Sequence, residues 1–186
     1  MILLRVNDAA VENSYVNSGE YIIQMNLVEI VQLLEHDFRK IGYCKVWSKI
    51  PDPSKSILSA DSTSIAFLTD VDADGNVDTL HYYLGPASEL SATSNPNDKL
   101  LYRVVNSEQA IGANLGVVNF WLTYYNPLGD TLGYPVSQPG EIYNMQIDIK
   151  VENTETFTSS SEAGEQIYTS AFWRQVRLVA RNLRNR

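Results

Sequence analysis

Cysteine is nearly missing from this chain: Cys44 is the only one among 186 residues. No intrachain disulfide can form, so cysteine usage leaves the redox compartment open. Beside Tyr43 and at the end of a predicted helix, Cys44 reads as a small packed hydrophobe rather than a reactive thiol. Histidine is scarce too, with only His36 and His81. No G-x-S-x-G, H-E-x-x-H, Walker or G-x-G-x-x-G pattern occurs, which removes the commonest nucleophile, zinc and nucleotide signatures. No apolar run approaches the roughly 18 residues of a membrane span. Met1–Leu4 is also shorter than the about 7–15 apolar residues of a signal peptide. The expectation for these residues by themselves is a soluble chain without a targeting segment.

Basic residues are in short supply, 14 against 22 acidic ones, for a net charge of −8. A nucleic-acid partner is therefore excluded, because phosphate binding needs a basic patch. The shortage is uneven. Arg174, Arg177, Arg181, Arg184 and Arg186 all follow the last acid, Glu165, so the chain before Arg174 holds nine basic and 22 acidic residues, a net −13. The basic end reads as a solvated tail, or as a last strand with arginines on its wet face, ahead of a dedicated anion site.

What is present supports a core. Hydrophobic residues make up 44% of the chain and aromatic residues 10%, which excludes wholesale disorder and fits one domain over residues 1–186. From Asn17 to Gly42, Leu27, Val31, Leu34, Phe38 and Ile41 recur at helical spacing and line one face. Leu27, Val31, Leu34 and Phe38 form a stripe read as an interface, expected to serve mainly as core. Asn17 with Glu20 suits an N-terminal cap and Gly42 suits the stop. A second reading starts the helix near Asp8, giving a helix over about 8–43 with Gly19 inside it at a cost of about 1 kcal/mol. That longer helix spans about 50 Å and would overhang a domain about 40 Å across.

From about residue 62 onward the period changes to two. Tyr143, Met145, Ile147, Ile149 and Val151 alternate with Asn144, Gln146, Asp148, Lys150 and Glu152, the pattern of a half-buried strand. Ser64–Leu68 and Leu80–Leu84 flank an acidic turn as a hairpin. Leu100–Val105, Val117–Tyr125 and Phe172–Val179 add strands, with turn-rich stretches at Ser94–Asp98 and Asn126–Asp130. The Ser/Thr run Thr154–Ser161 reads as a loop or an irregular strand end. One helix followed by a run of strands predicts an α+β fold, a long amphipathic helix laid on an antiparallel sheet over about 62–186.

Asp70, Asp72, Asp74 and Asp78 are the metal candidates. Their spacing, D-x-D-x-D-G-x-x-D, matches the first nine positions of a calcium loop, where hard Ca2+ wants carboxylate oxygens and Gly75 permits the bend. The twelfth position is His81, not a bidentate Glu, and a strand follows where an EF-hand has a helix. The competing reading is a hairpin turn in which Asp-Gly and Asn supply positive φ. Calcium is the one cofactor candidate. His36, between Glu35 and Asp37, reads as solvent-facing, and Asp37 as a neighbour of Lys40 worth a few tenths of a kcal/mol. Phe120–Tyr125 sends its rings to both sheet faces and reads as core packing before any sugar platform. No constellation here points to an enzyme.

The order of these segments resembles the type IV pilin-like family. Leu33-Leu34-Glu35-His36-Asp37-Phe38-Arg39-Lys40-Ile41-Gly42-Tyr43 is similar to the family's L-x-x-D-(L/F)-R-x-x-G-Y stretch, which closes its long N-terminal helix. The hairpin around Asp70–Gly75 is similar to the first hairpin of minor pilins and pseudopilins. Leu100-Leu101-Tyr102-Arg103, Val118–Tyr124 and Val176–Asn182 resemble its later strands and R-N ending. The resemblance implies a head domain whose apolar, membrane-spanning N-terminal helix is absent here. It further implies a non-catalytic structural subunit, inner-membrane anchored in its full-length form, in the bacterial cell envelope, periplasm or cell surface. Its partners would be other pilin-like subunits in a type IV pilus or a type II secretion pseudopilus, with larger minor subunits the nearer likeness. The alternative is a secreted calcium-stabilised binding or adhesion module.

Overall fold

The computed structural model describes residues 2–153, 157–158, 166–167 and 170–178, with side chains for 19–153 and 171–173. One helix, α1 (Ile2–Arg39), precedes nine strands. They are β1 (Ile57–Ala60), β2 (Ser64–Thr69), β3 (Asp78–Leu84), β4 (Lys99–Val105), β5 (Ile111–Tyr125), β6 (Asn144–Glu152), β7 (Phe157–Thr158), β8 (Gln166–Ile167) and β9 (Ser170–Leu178). Seven of them form an antiparallel sheet in the order β1-β2-β3-β4-β5-β6-β9, and β7 pairs with β8 alone. The fold is α+β, as expected.

The helix is longer than either sequence reading. It runs without a break through Asn17 and Gly19, so Asn17 is not its cap. Gly19 is buried, one turn ahead of Ile23 on the same face, so the glycine marks packing rather than an end. At 1.5 Å per residue, α1 spans about 57 Å. Ile23, Leu27, Ile30, Leu34 and Phe38 are buried in one core with Phe67, Leu80, Tyr82, Phe120, Leu122 and Ile147 of the sheet. Leu27, Leu34, Phe38 and Ile41 therefore do what their spacing predicts, while Val31 lies at the flank and is only partly buried. Phe38 meets the Phe67 and Tyr82 rings at 5.5 and 5.6 Å.

The strand periodicity is equally direct. On β6, Met145, Ile147, Ile149 and Val151 are each no more than 1% exposed, and they face the helix side of the sheet with Tyr124, Leu122 and Phe120 of β5 opposite. Tyr143 precedes the strand and is exposed. Asp148 and Glu152, expected on the wet side, are buried. Phe120, Leu122 and Tyr124 are core, while Trp121 is 40% exposed and meets Tyr134 edge-on at 5.8 Å. β1 lies outside the segments expected as strands, and β5 begins six residues early. Phe157 and Thr158 of the Ser/Thr run pair with Ile167 and Gln166; the rest of that run lies outside the described residues. Arg174 and Arg177 fall on β9, their side chains outside the described set, as are Val179, Arg181, Arg184 and Arg186 altogether.

The end of the helix is stitched to the β2–β3 hairpin. The Gly42 amide donates to the Leu68 carbonyl at 2.9 Å and the Asp70 amide to the Tyr43 carbonyl at 2.8 Å. The Thr69 hydroxyl donates to the Lys40 carbonyl at 2.8 Å, and Lys40 Nζ to the Val71 carbonyl at 2.6 Å. Gly42 has φ +73, the left-handed geometry that lets the chain turn back at a helix end without steric cost.

Candidate functional site

The turn joining β2 to β3 gathers three of the four predicted aspartates. The last strand pair is Thr69 with Asp78, and the chain between them turns through Ala73 at φ 60 and Gly75 at φ 92. Oxygens of Asp70, Asp72 and Asp78 all lie within 4.8 Å of one another and could hold a metal ion. Asp74 departs from the expected set. Its carboxylate accepts from the Asn76 amide and side-chain nitrogen, both at 2.6 Å, so it closes the turn instead.

Each member of the trio is fixed by donors from the loop itself. Asp70 is fully buried. Its Oδ2 accepts from the amides of Lys45 and Gly75, both at 3.0 Å, and lies 3.8 Å from the Cys44 thiol. Its Oδ1 is buried with no hydrogen-bond partner. Asp72 Oδ1 accepts from the Asp74 amide at 3.0 Å. Asp78 Oδ2 accepts from the Val71 amide at 3.0 Å and Oδ1 from the Asn106 side chain at 2.8 Å. Burial pushes the Asp70 carboxyl up, but the amides of Lys45, Gly75, Ala73 and Asp74 outweigh it and hold the group below the usual carboxylate range. Asp70 thus stays ionised beside two other carboxylates. At such separations each pair repels by about 1 kcal/mol even in a water-like dielectric. His81, the twelfth position of the loop pattern, is turned away: its Nε2 bonds the Ser64 hydroxyl at 2.9 Å and its ring lies 4.9 Å from that of Tyr83. Cys44 is buried, in line with its reading as a packed side chain.

A second polar centre was missed in the sequence. Asp37 is 2% exposed and accepts from Tyr82 Oη at 2.6 Å, from Arg103 Nε at 2.7 Å and from His36 Nδ1 at 3.0 Å. It does not pair with Lys40, which bonds the Val71 carbonyl. Burial raises the Asp37 carboxyl, and the bonds from Arg103, Tyr82 and His36 together bring it below its usual range. Burial and the Asp37 charge push the Tyr82 phenol far above its ordinary value. The signal was available: Asp37 stands three residues after Leu34 and four before Ile41, on the buried stripe itself. Arg103 carries no such signal, because it arrives from 66 residues away. The cluster is a bolt between helix and sheet. His36 stays exposed beside it, at 62%, and His81 sits elsewhere on β3, so the two histidines do not converge. A groove of about 580 Å³ beside Ser54 and Asn126 has Glu141 as the sole carboxylate in its lining.

The helix has a second apolar side. Tyr21, Met25 and Val28 are 67%, 54% and 52% exposed and lie across the helix from the buried stripe, while Ile22 and Leu33, 54% and 44% exposed, lie on its flank. No family model, curated protein or solved structure matches the chain.

Proposed function

We propose that this protein is a non-catalytic structural subunit of a cell-envelope filament, a type IV pilus or a type II secretion pseudopilus. It would act through packing against other pilin-like subunits. The observation that carries this reading is the helix with two apolar sides, one filled by the sheet and the other bare at Tyr21, Met25 and Val28. A helix of a free-standing domain has a single apolar stripe, and contiguous exposed apolar surface marks an interaction site. The full-length protein on this reading is anchored in the inner membrane by an apolar helix of about 20 residues, encoded upstream of Ile2. The test is the double variant Met25→Glu/Val28→Glu in the native host. Filament incorporation falls at least tenfold while the isolated chain melts within about 2 °C of the parent. Normal incorporation of the variant would refute the reading.

A second element concerns the acidic turn. The buried, unpartnered Oδ1 of Asp70 favours a bound cation there, and an all-oxygen set on a flexible loop favours Ca2+. Calcium would fasten the hairpin in the filament subunit, or in the alternative, a secreted calcium-stabilised binding or adhesion module. Saturating Ca2+ raises the melting temperature of the chelator-treated chain, and Asp72→Asn/Asp78→Asn reduces that rise by the share due to this turn. An undiminished rise in the double variant counts against the turn as the site.

A further inference from the structure

At one end of the sheet, remote in sequence from the acidic turn, sits a buried carboxylate without a counter-charge. Asp98 is 1% exposed, and neither of its carboxylate oxygens has a hydrogen-bond partner. Around it the chain is built with care. Asn95, also 1% exposed, uses Oδ1 to accept from the Asn97 amide at 2.9 Å, and its carbonyl accepts from the Asp98 amide at 3.2 Å. Its Nδ2 crosses 57 residues to Glu152 Oε2 at 3.0 Å and also reaches the Asn153 carbonyl at 3.3 Å. The Thr93 hydroxyl is close enough to Asp98 to pull its carboxyl down as a hydrogen bond would, but its well-formed bonds go to the Leu90 and Asn95 carbonyls, which leaves the carboxylate oxygens unpartnered.

Glu152 is brought there by backbone geometry. Gly116 of β5 has φ +71, and a Cβ at that position would stand 2.4 Å from the Glu152 carbonyl oxygen. The pairings of β4 with β5 and of β5 with β6 both shift register nearby, between Lys99 and Leu101 and between Val117 and Asn119. Glu152 is already neutralised by Lys150 Nζ at 2.5 Å. The charge left over is that of Asp98.

A carboxylate buried without partners is costly, and two things relieve it. A proton converts one oxygen to a donor and leaves the other an orphaned acceptor. A hard divalent cation takes both oxygens at once. We propose that Asp98 and Glu152, with the oxygens of the Thr93–Asp98 loop, form a binding site for one hard divalent cation of the calcium class, separate from the aspartate turn. Burial, with the Glu152 charge adding to it, raises the Asp98 carboxyl despite the Thr93 hydroxyl.

The site is tested on the whole chain in the Asp72→Asn/Asp78→Asn background, which removes the aspartate turn from the readout. After chelator treatment at pH 7, titration with calcium chloride gives one saturable event by calorimetry. A hundredfold excess over Kd raises the melting temperature by about 5–10 °C. Adding Asp98→Asn, which keeps the shape and removes the charge, abolishes both responses and leaves the metal-free protein at least as stable. Glu152→Gln weakens calcium at least tenfold. The proposal is overturned if that background binds no calcium, if the response survives Asp98→Asn, or if Asp98→Asn alters only the pH dependence of melting in metal-free buffer, which would mean the pair holds a proton. A calcium response undiminished between the parent and this background, with binding abolished by Asp98→Asn, would sink the turn reading alone.

Discussion

Asp37 shows how a single polar residue decides the seat of the helix. Its carboxylate is buried among Phe38, Tyr82 and the apolar stripe, and three donors hold it ionised. Replacing one member of a buried pair leaves the other uncompensated, a loss of about 3–5 kcal/mol. Arg103 retains some solvent contact, at 25% exposure, so the lower end applies. Asp37→Asn is expected to cost about 3 kcal/mol, near 6–12 °C of melting temperature for a chain of this size. Because the folded Asp37 titrates below its unfolded value, its contribution is complete above about pH 4 and disappears as pH falls through the folded value. Melting curves below pH 4 should therefore be flatter in Asp37→Asn than in the parent. An equal acid slope would show that Asp37 is not the group. The position of Asp37 on the buried stripe was readable from spacing, but its partners were not. Spacing along a helix says which face a residue is on, whereas Tyr82 and Arg103 meet it only through strand register.

Among the elements, those with a strong period were legible and those shaped by backbone geometry were not. The β2–β3 hairpin, β4 and β6 follow from alternation, because one wet and one dry face impose it. Short β1, between Pro51–Pro53 and the turn at Asp61, offers too few residues for a period to show. The first six residues of β5 contain Gly112 and Gly116 and broke the pattern, yet Gly116 is where the sheet bends. Its positive φ and the closeness of the Glu152 carbonyl both forbid a side chain. Gly116→Ala is expected to lose at least about 2 kcal/mol, read as a lower urea midpoint at unchanged slope, whereas an ordinary exposed Gly→Ala change is neutral or stabilising. An unchanged midpoint would mean that β5 can shift without cost. At the acidic turn the spacing placed Asp70, Asp72 and Asp78 together and misplaced Asp74. The misplacement arises because a short side chain in a tight turn takes the nearest amide, here that of Asn76, before any ion.

At the scale of the whole molecule, the distribution of apolar surface separates stability from assembly. The buried side of α1 belongs to the core cluster, so its loss would unfold the head. The side bearing Met25 and Val28 is exposed, and charging it should leave folding intact while, on the proposed function, blocking contact with neighbouring subunits. Strand order contributes as well. Along the seven-stranded sheet every pairing except β6 with β9 joins consecutive strands, so the sheet is a meander that closes with β9 on β6.

The stitch between the helix end and the β2–β3 hairpin has a mechanical meaning. Four hydrogen bonds, from Gly42, Asp70, Thr69 and Lys40, tie residues 40–43 to residues 68–71 side by side. A pull delivered along the helix enters the sheet at this point, where the bonds carry the load together instead of one after another. It reaches an inner strand rather than peeling β1 or β9 from an edge. The aspartate turn lies directly on that line of force, so whatever fastens the turn also fastens the sheet to the helix.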